Sequence, residues 1–234
     1  MKAIQFEISG QWGHFRKAET NNNPLSHDFI TKTALVGLMG AVVGIEREPM
    51  KRYFPMLCDA LLYSVEVRGI VKKQSWGFTL RQASDVYQSA PRYMEILSKP
   101  QFSIILACKN GADTEGVFDK FSEMVKSQRA CFTPVLGLHN CPAELTFENE
   151  GTMSDIQSGT FETLGFISQN HKAKPKGNLR LGFERIPTHQ TDDFWNLPEC
   201  YASVIYPSGG SPVLVDGSFH IFQTDKSESK WYLI

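Results

Sequence analysis

Between residues 9 and 44, this 234-residue chain concentrates side chains that suit an anion. Gln11, Trp12, His14, Arg16 and Lys17 follow one another closely, His27 comes next, and Thr31-Lys32-Thr33 opens a Gly/Ala-rich apolar run. Arg and Lys pair with phosphate oxygens, and an indole or imidazole stacks on a base. A helix N-terminus adds unpaired N–H groups and partial positive charge. The combination predicts a grip on a polynucleotide backbone. Arg81 and Arg92 lie among Trp76, Phe78, Tyr87 and Tyr93, and interleaved cations and rings of this kind stack bases. Arg47 joins Lys51 and Arg52 beside Tyr53. The plainer readings are a solvated basic turn for the Arg47 cluster and a protruding hairpin with ordinary aromatic anchors for 72–100.

Other chemistries find less support. His14, His27, Tyr53 and His139 are loose candidates for metal-independent RNA cleavage, which needs a base near the 2′-OH and an acid at the leaving oxygen. A small-molecule enzyme would call for a phosphate loop, a dinucleotide fingerprint, paired carboxylates or H-E-x-x-H, and the sequence has none of these. Cys131, His139 and Cys141 fit no standard zinc spacing, so no metal or cofactor is expected. Five cysteines without a C-x-x-C pair, and a start without a signal-peptide pattern, predict reduced thiols and a cytoplasmic protein. The longest apolar run, 34–45, is too short to span a bilayer, and no membrane partner is expected.

Composition is that of an ordinary soluble domain, 41% hydrophobic and 21% charged. A net charge of -1 excludes a globally basic nucleic-acid binder, but the charge is uneven. Residues 1–110 carry +5 and residues 111–234 carry -6, which suits an N-terminal half that faces an anion.

The elements that must position these residues follow from periodicity. Ile4, Phe6 and Ile8 alternate with Gln5 and Glu7, a half-buried strand over 2–8. A long polar loop with Pro24 leads to a helix over 31–43 that stops at Gly44. Its glycines weaken it and call for close packing against a sheet or another backbone. Strands are expected over 59–71, 101–108 and 143–147, with a Thr114-capped helix reaching about 128. The order is βαββαβ, an α+β ferredoxin-like arrangement that also builds RNA-recognition domains, although the scaffold hosts many functions. Domain boundaries fall at 1–148, with a thumb-like insertion over about 69–100, and at 149–234. The second region reads as a small antiparallel β region with loops at 151–159 and 169–178. Its strands are expected at 178–186, 201–206, 212–215, 219–222 and 231–234, with a hairpin turn at 207–212.

Laid out this way, the chain resembles the Cas five family of CRISPR-associated proteins, in the RAMP superfamily. Three stretches carry the resemblance in order and spacing: S-G-Q-W-G-H-F-R-K after the first strand, P-L-S-H-D-F-I-T-K-T-A-L-V-G-L-M-G-A-V-V-G, and P-V-L-G-L-H-N-C-P-A before the fourth core strand. The length and the W-G-H-F-R-K start resemble the type I-B branch. The resemblance implies a non-catalytic subunit of the Cascade surveillance complex that holds the 5′ repeat-derived tag of crRNA and caps the backbone filament. Its implied neighbours are the backbone subunit and the large subunit that inspects the PAM of target DNA. By matched position it adds Leu136, Gly137, His139 and Asn140 of the Leu-Gly loop to the RNA-binding set, beside the first loop and the helix start. One branch, type I-C, cuts repeat RNA, but the adjacent Lys-His pair of that branch is replaced here by Ala107-Cys108-Lys109-Asn110.

Overall fold

The computed structural model describes residues 1–20, 22–81, 89–174, 180–191 and 197–234. Its first half runs β1 (Lys2–Ser9), β2 (Trp12–Gly13), α1 (Lys32–Val43), α2 (Arg47–Ala60), β3 (Leu61–Val67), β4 (Lys73–Arg81), β5 (Ser89–Ser98), β6 (Gln101–Cys108) and α3 (Glu115–Lys126). The elements of the second half, among the described residues, are strands: β7 (Glu144–Met153), β8 (Gln157–Thr163), β9 (Ile167–Ser168), β10 (Lys172–Lys174), β11 (Arg180–His189), β12 (Cys200–Ser208), β13 (Val213–Gln223) and β14 (Glu228–Trp231). The result is a mixed α/β protein with mostly antiparallel sheets and three helices among the described residues.

The largest sheet has the order β10-β13-β7-β1-β6-β3, with β8 and β14 also on β13. β1 lies antiparallel between β6 and β7, and β3 pairs β6 antiparallel. The alternation in β1 does what its pattern demands. Ile4, Phe6 and Ile8 are fully buried in the main core with Leu35, Met39, Phe102, Ile104 and Phe121, beneath the helices. That core also takes in Phe166, Ile186, Val204 and Tyr206, so the C-terminal strands share it.

α1 is capped as its sequence suggests: Thr31 Oγ1 accepts from the Ala34 N–H at 3.2 Å, and Gly44 closes the helix at φ 81°. Its glycines are only partly accounted for. Gly40 lies against Met50 of α2, while nothing stands within 4 Å of a Cβ on Gly37. Thr114 stands at the N-cap of α3, yet its hydroxyl makes no capping bond.

Five local expectations are corrected. The Arg47-Lys51-Arg52 cluster is not a turn but the first half of α2, a helix that tolerates Pro55 in its interior because it packs Met50, Phe54 and Leu57 into the core. The 151–159 loop is occupied by the end of β7 and the start of β8, and Lys172–Lys174 inside 169–178 is the strand β10; residues 175–178 lie outside the described set. The strands expected at 212–215 and 219–222 are one continuous strand, β13. Residues 207–212 are no hairpin turn: β12 belongs to the sheet β11-β12-β9 and β13 to the large sheet, so the chain changes sheets there, with Gly209 and Gly210 both at positive φ.

Candidate functional site

The first loop and the Leu-Gly loop touch. Gly10 leaves β1 against Leu136 and the Pro142 carbonyl, where a Cβ would stand 2.6 and 2.8 Å from them. The His14 N–H donates to the Leu136 carbonyl at 2.9 Å. Gly137, at φ +88°, lets its own backbone pass beside the His14 carbonyl. Between these points Trp12–Gly13 forms β2 on Ser98 and Leu97 of β5, so the β4–β5 hairpin is stitched to the same loop.

The rest of the long loop is folded too. Ser26 Oγ accepts from the Phe15 N–H at 3.0 Å, the His27 N–H donates to the Phe15 carbonyl at 2.8 Å, and the Lys17 N–H donates to the Leu25 carbonyl at 2.8 Å. These bonds aim His14, Arg16 and His27 into a cleft of about 550 Å³, which Thr31 and Thr33 floor from the start of α1. Gly137, Met94 of the hairpin, and Pro187 and Tyr201 of the C-terminal strands close its other sides. Apolar walls with a few convergent polar groups suit an organic ligand better than a bare ion.

Two imidazoles in the cleft are held from behind. His14, 3% exposed, donates Nδ1–H to the Glu95 carbonyl at 2.7 Å. Burial lowers its pKa, against the smaller opposing effect of that bond, so the ring is neutral at pH 7. His27 Nδ1 meets Glu184 Oε2 at 2.8 Å. Glu184 Oε1 also accepts from Lys17 Nζ at 3.0 Å and from the Asp28 N–H at 3.2 Å. Burial works against the Glu184 charge, yet His27 and then Lys17 outweigh it and hold the carboxyl below the ordinary range. Lys73 ties in the hairpin, reaching the Ser26 carbonyl and Asp28 Oδ1 at 2.7 Å and Glu95 Oε2 at 3.0 Å. Tyr206 donates its hydroxyl to Asp28.

The fifteen sequence-expected residues therefore divide. His14, Arg16, Thr31, Thr33 and Gly137 share the cleft. Lys17 is turned onto Glu184. Lys32 is 7% exposed, and burial lowers its pKa to about 8; the Lys109 charge adds to the lowering and Asp59 opposes it. Trp12 packs edge-on against Trp76 with centroids 4.8 Å apart. Leu136 is a fully buried core residue, and Gly137 serves the approach of the two loops. Gln11, Arg47, His139 and Asn140 are exposed and Arg92 half-exposed, all outside the cleft lining. The side chain of Arg81, and Tyr87 altogether, lie outside the described set. The sequence reading missed Asp28, Glu95 and Glu184. A carboxylate in a strand reads as solvent-facing, and only the unpaired-looking Lys17 and His27 hint that one must meet them.

The sheet face away from the helices is a poor surface for RNA. Its central strand β1 presents Gln5 and Glu7 rather than aromatic rings, and Glu7, Glu66 and Glu148 gather around Arg68. A net negative face repels phosphate. Among the described residues no group of three or more His, Cys, Asp or Glu is arranged to hold a metal ion, and no helix is long and apolar enough to cross a membrane.

A family model described as CRISPR-associated protein (Cas_Cas5) matches residues 3–197. The chain belongs to the Cas five family. No curated protein matches it in sequence. Among solved structures it is similar to a CRISPR protein from Archaeoglobus fulgidus, at 12% identity and a TM-score of 0.60 over 98% of this chain and 99% of that one. A chain of a CRISPR RNA-guided surveillance complex aligns at 12% identity and a TM-score of 0.49, over 90% and 91% of the two chains. A chain of the type III-B Cmr-beta structure bound to cognate target RNA and AMPPnP gives 10% identity and a TM-score of 0.47, over 90% and 86%. The Cas five chain thus shares its fold with the archaeal CRISPR protein along nearly the whole of both.

Proposed function

We propose that this Cas five chain is a non-catalytic, RNA-holding subunit of a type I CRISPR effector complex, Cascade, of the type I-B kind. It holds the 5′ repeat-derived tag of crRNA, caps the backbone filament beside the large subunit, and meets target DNA only indirectly near the PAM, in the cytoplasm. Base pairing by the guide reads the target sequence. The observation that carries this reading is the His14–Leu136 backbone bond, which joins the two loops around one cleft. The sheet order β7-β1-β6-β3 with α1 and α3 as crossovers supports a ferredoxin-like, RRM-like scaffold with β4–β5 as its thumb. Residues 1–148 supply the grip, and 149–234 supply the wall with Pro187 and Tyr201.

Affinity purification of the chain from cells that carry its neighbouring genes should recover a short processed RNA beginning with repeat sequence, together with several protein subunits. Recovery of the chain without RNA would overturn the reading. A second reading, metal-independent cleavage of repeat RNA, is favoured by one observation: His27, oriented by buried Glu184, lines the same cleft as His14. Incubation with repeat RNA should leave it intact; a defined product that disappears in His27→Ala would establish cleavage instead.

A further inference from the structure

The strands β11 and β12 pair antiparallel, with Phe183 opposite Ile205, Arg185 opposite Ser203 and Pro187 opposite Tyr201. Alternation splits the pair into two faces. Glu184, Ile186, Val204 and Tyr206 turn inward and are buried. Phe183, Arg185 and Tyr201 turn the other way. Phe183 is 69% exposed, the highest value among the large hydrophobic side chains of the described residues. The Arg185 guanidinium lies 4.3 Å above the centre of the Tyr201 ring. Tyr201 and Pro187 already line the cleft, so this face continues directly out of it.

We infer that the Tyr201–Arg185–Phe183 face is a second stacking platform, on which the RNA strand held in the cleft continues as splayed, unpaired nucleotides. The inference rests on the RNA-holding reading above. Three features favour nucleic acid over a protein partner. A cation already stacked on a ring is pre-organised to sandwich a base and to meet its phosphate. The next outward residue of that face is a bare aromatic ring, and every base offers a π-face to it. The strand residues of this face, Phe183, Arg185, Tyr201 and Ser203, include no carboxylate, and the Glu19 charge that reaches Tyr201 from the first loop is opposed there by Arg185. Residues two apart on a strand stand about 6.8 Å from each other, roughly twice the 3.4 Å step of stacked bases. Bases separated from one another, rather than stacked together, therefore match the side chains.

The test uses the full chain and fluorescent single-stranded RNA beginning with the repeat tag, lengthened one nucleotide at a time. Wild-type affinity should rise as the strand outgrows the cleft. Phe183→Ala and Arg185→Ala should each remove about tenfold of that rise while leaving the shortest bound RNA unaffected. 4-Thiouridine in the added nucleotides should crosslink to the β11 peptide. Variants that follow wild type at every length overturn the platform alone, and reduced recovery of protein subunits by those same variants would reassign the face to a protein contact. Wild type that binds no RNA at any length overturns the tag-holding reading and the platform with it.

Discussion

A Cβ on Gly137 would stand 1.8 Å from the carbonyl oxygen of His14. No side chain fits there, and the φ of +88° disfavours any residue but glycine. Gly137→Ala should therefore separate the two loops, cost about 2 kcal/mol or more in denaturant unfolding and abolish RNA binding. Gly111, also at positive φ but with nothing within 4 Å, is the control: Gly111→Ala should cost about 1 kcal/mol and leave RNA binding intact. Equal effects from the two would mean that strain alone, not loop contact, is at work.

Glu184 is the buried anchor of Lys17 and His27, its side chain 2% exposed. Glu184→Ala should cost about 3 kcal/mol, because it strands their donors. Its folded pKa lies below the ordinary 4.5, so its contribution is complete above that value and is lost as pH falls through the folded pKa. The stability gap between wild type and Glu184→Gln should accordingly narrow below pH 4.5. A gap that stays constant to low pH would show that packing, not charge, makes the difference.

Lys32 runs the opposite way. Its pKa falls from 10.5 to about 8 on folding, so the buried ammonium weakens the protein fully below pH 8, and that burden lifts between pH 8 and 10.5. The shift corresponds to about 3 kcal/mol. Lys32→Met should raise the unfolding midpoint at pH 7, with the gain shrinking toward pH 10.5. A loss of stability at pH 7 would show that the ammonium has found a partner.

The two neighbouring cations of the first loop should separate. Arg16 is exposed at the cleft and leans on the Thr20 carbonyl, so Arg16→Ala should weaken RNA binding and reduce the salt slope by about one. Lys17→Ala should chiefly lower stability, because its ammonium is committed to Glu184. Binding isotherms over a salt series, beside thermal unfolding of both variants, decide the point. Identical salt slopes for wild type and Arg16→Ala would remove Arg16 from the interface.

Much of this could be read from the chain. Alternation in β1 and 3.6-residue spacing in α3 mark which faces are buried, since each pattern has one low-energy solution. α2 escaped because Pro49 and Pro55 are breaker-like residues, and only packing of Phe54 and Leu57 overrides them. β13 read as two strands because Asp216-Gly217-Ser218 interrupts its apolar run; Gly217 is needed there to admit the His171 ring. At the site, the family resemblance named both of the loops that meet. Which cations remain available did not show, because the pairing of Lys17 with Glu184 joins residues 167 positions apart.

That long-range tie has a consequence for recombination among relatives. A chimera that joins this first loop to a β11 without a carboxylate at position 184 would leave Lys17, His27 and the Asp28 N–H without the acceptor that receives them. Functional exchange therefore requires moving these four positions as a single cassette, however distant the crossover points.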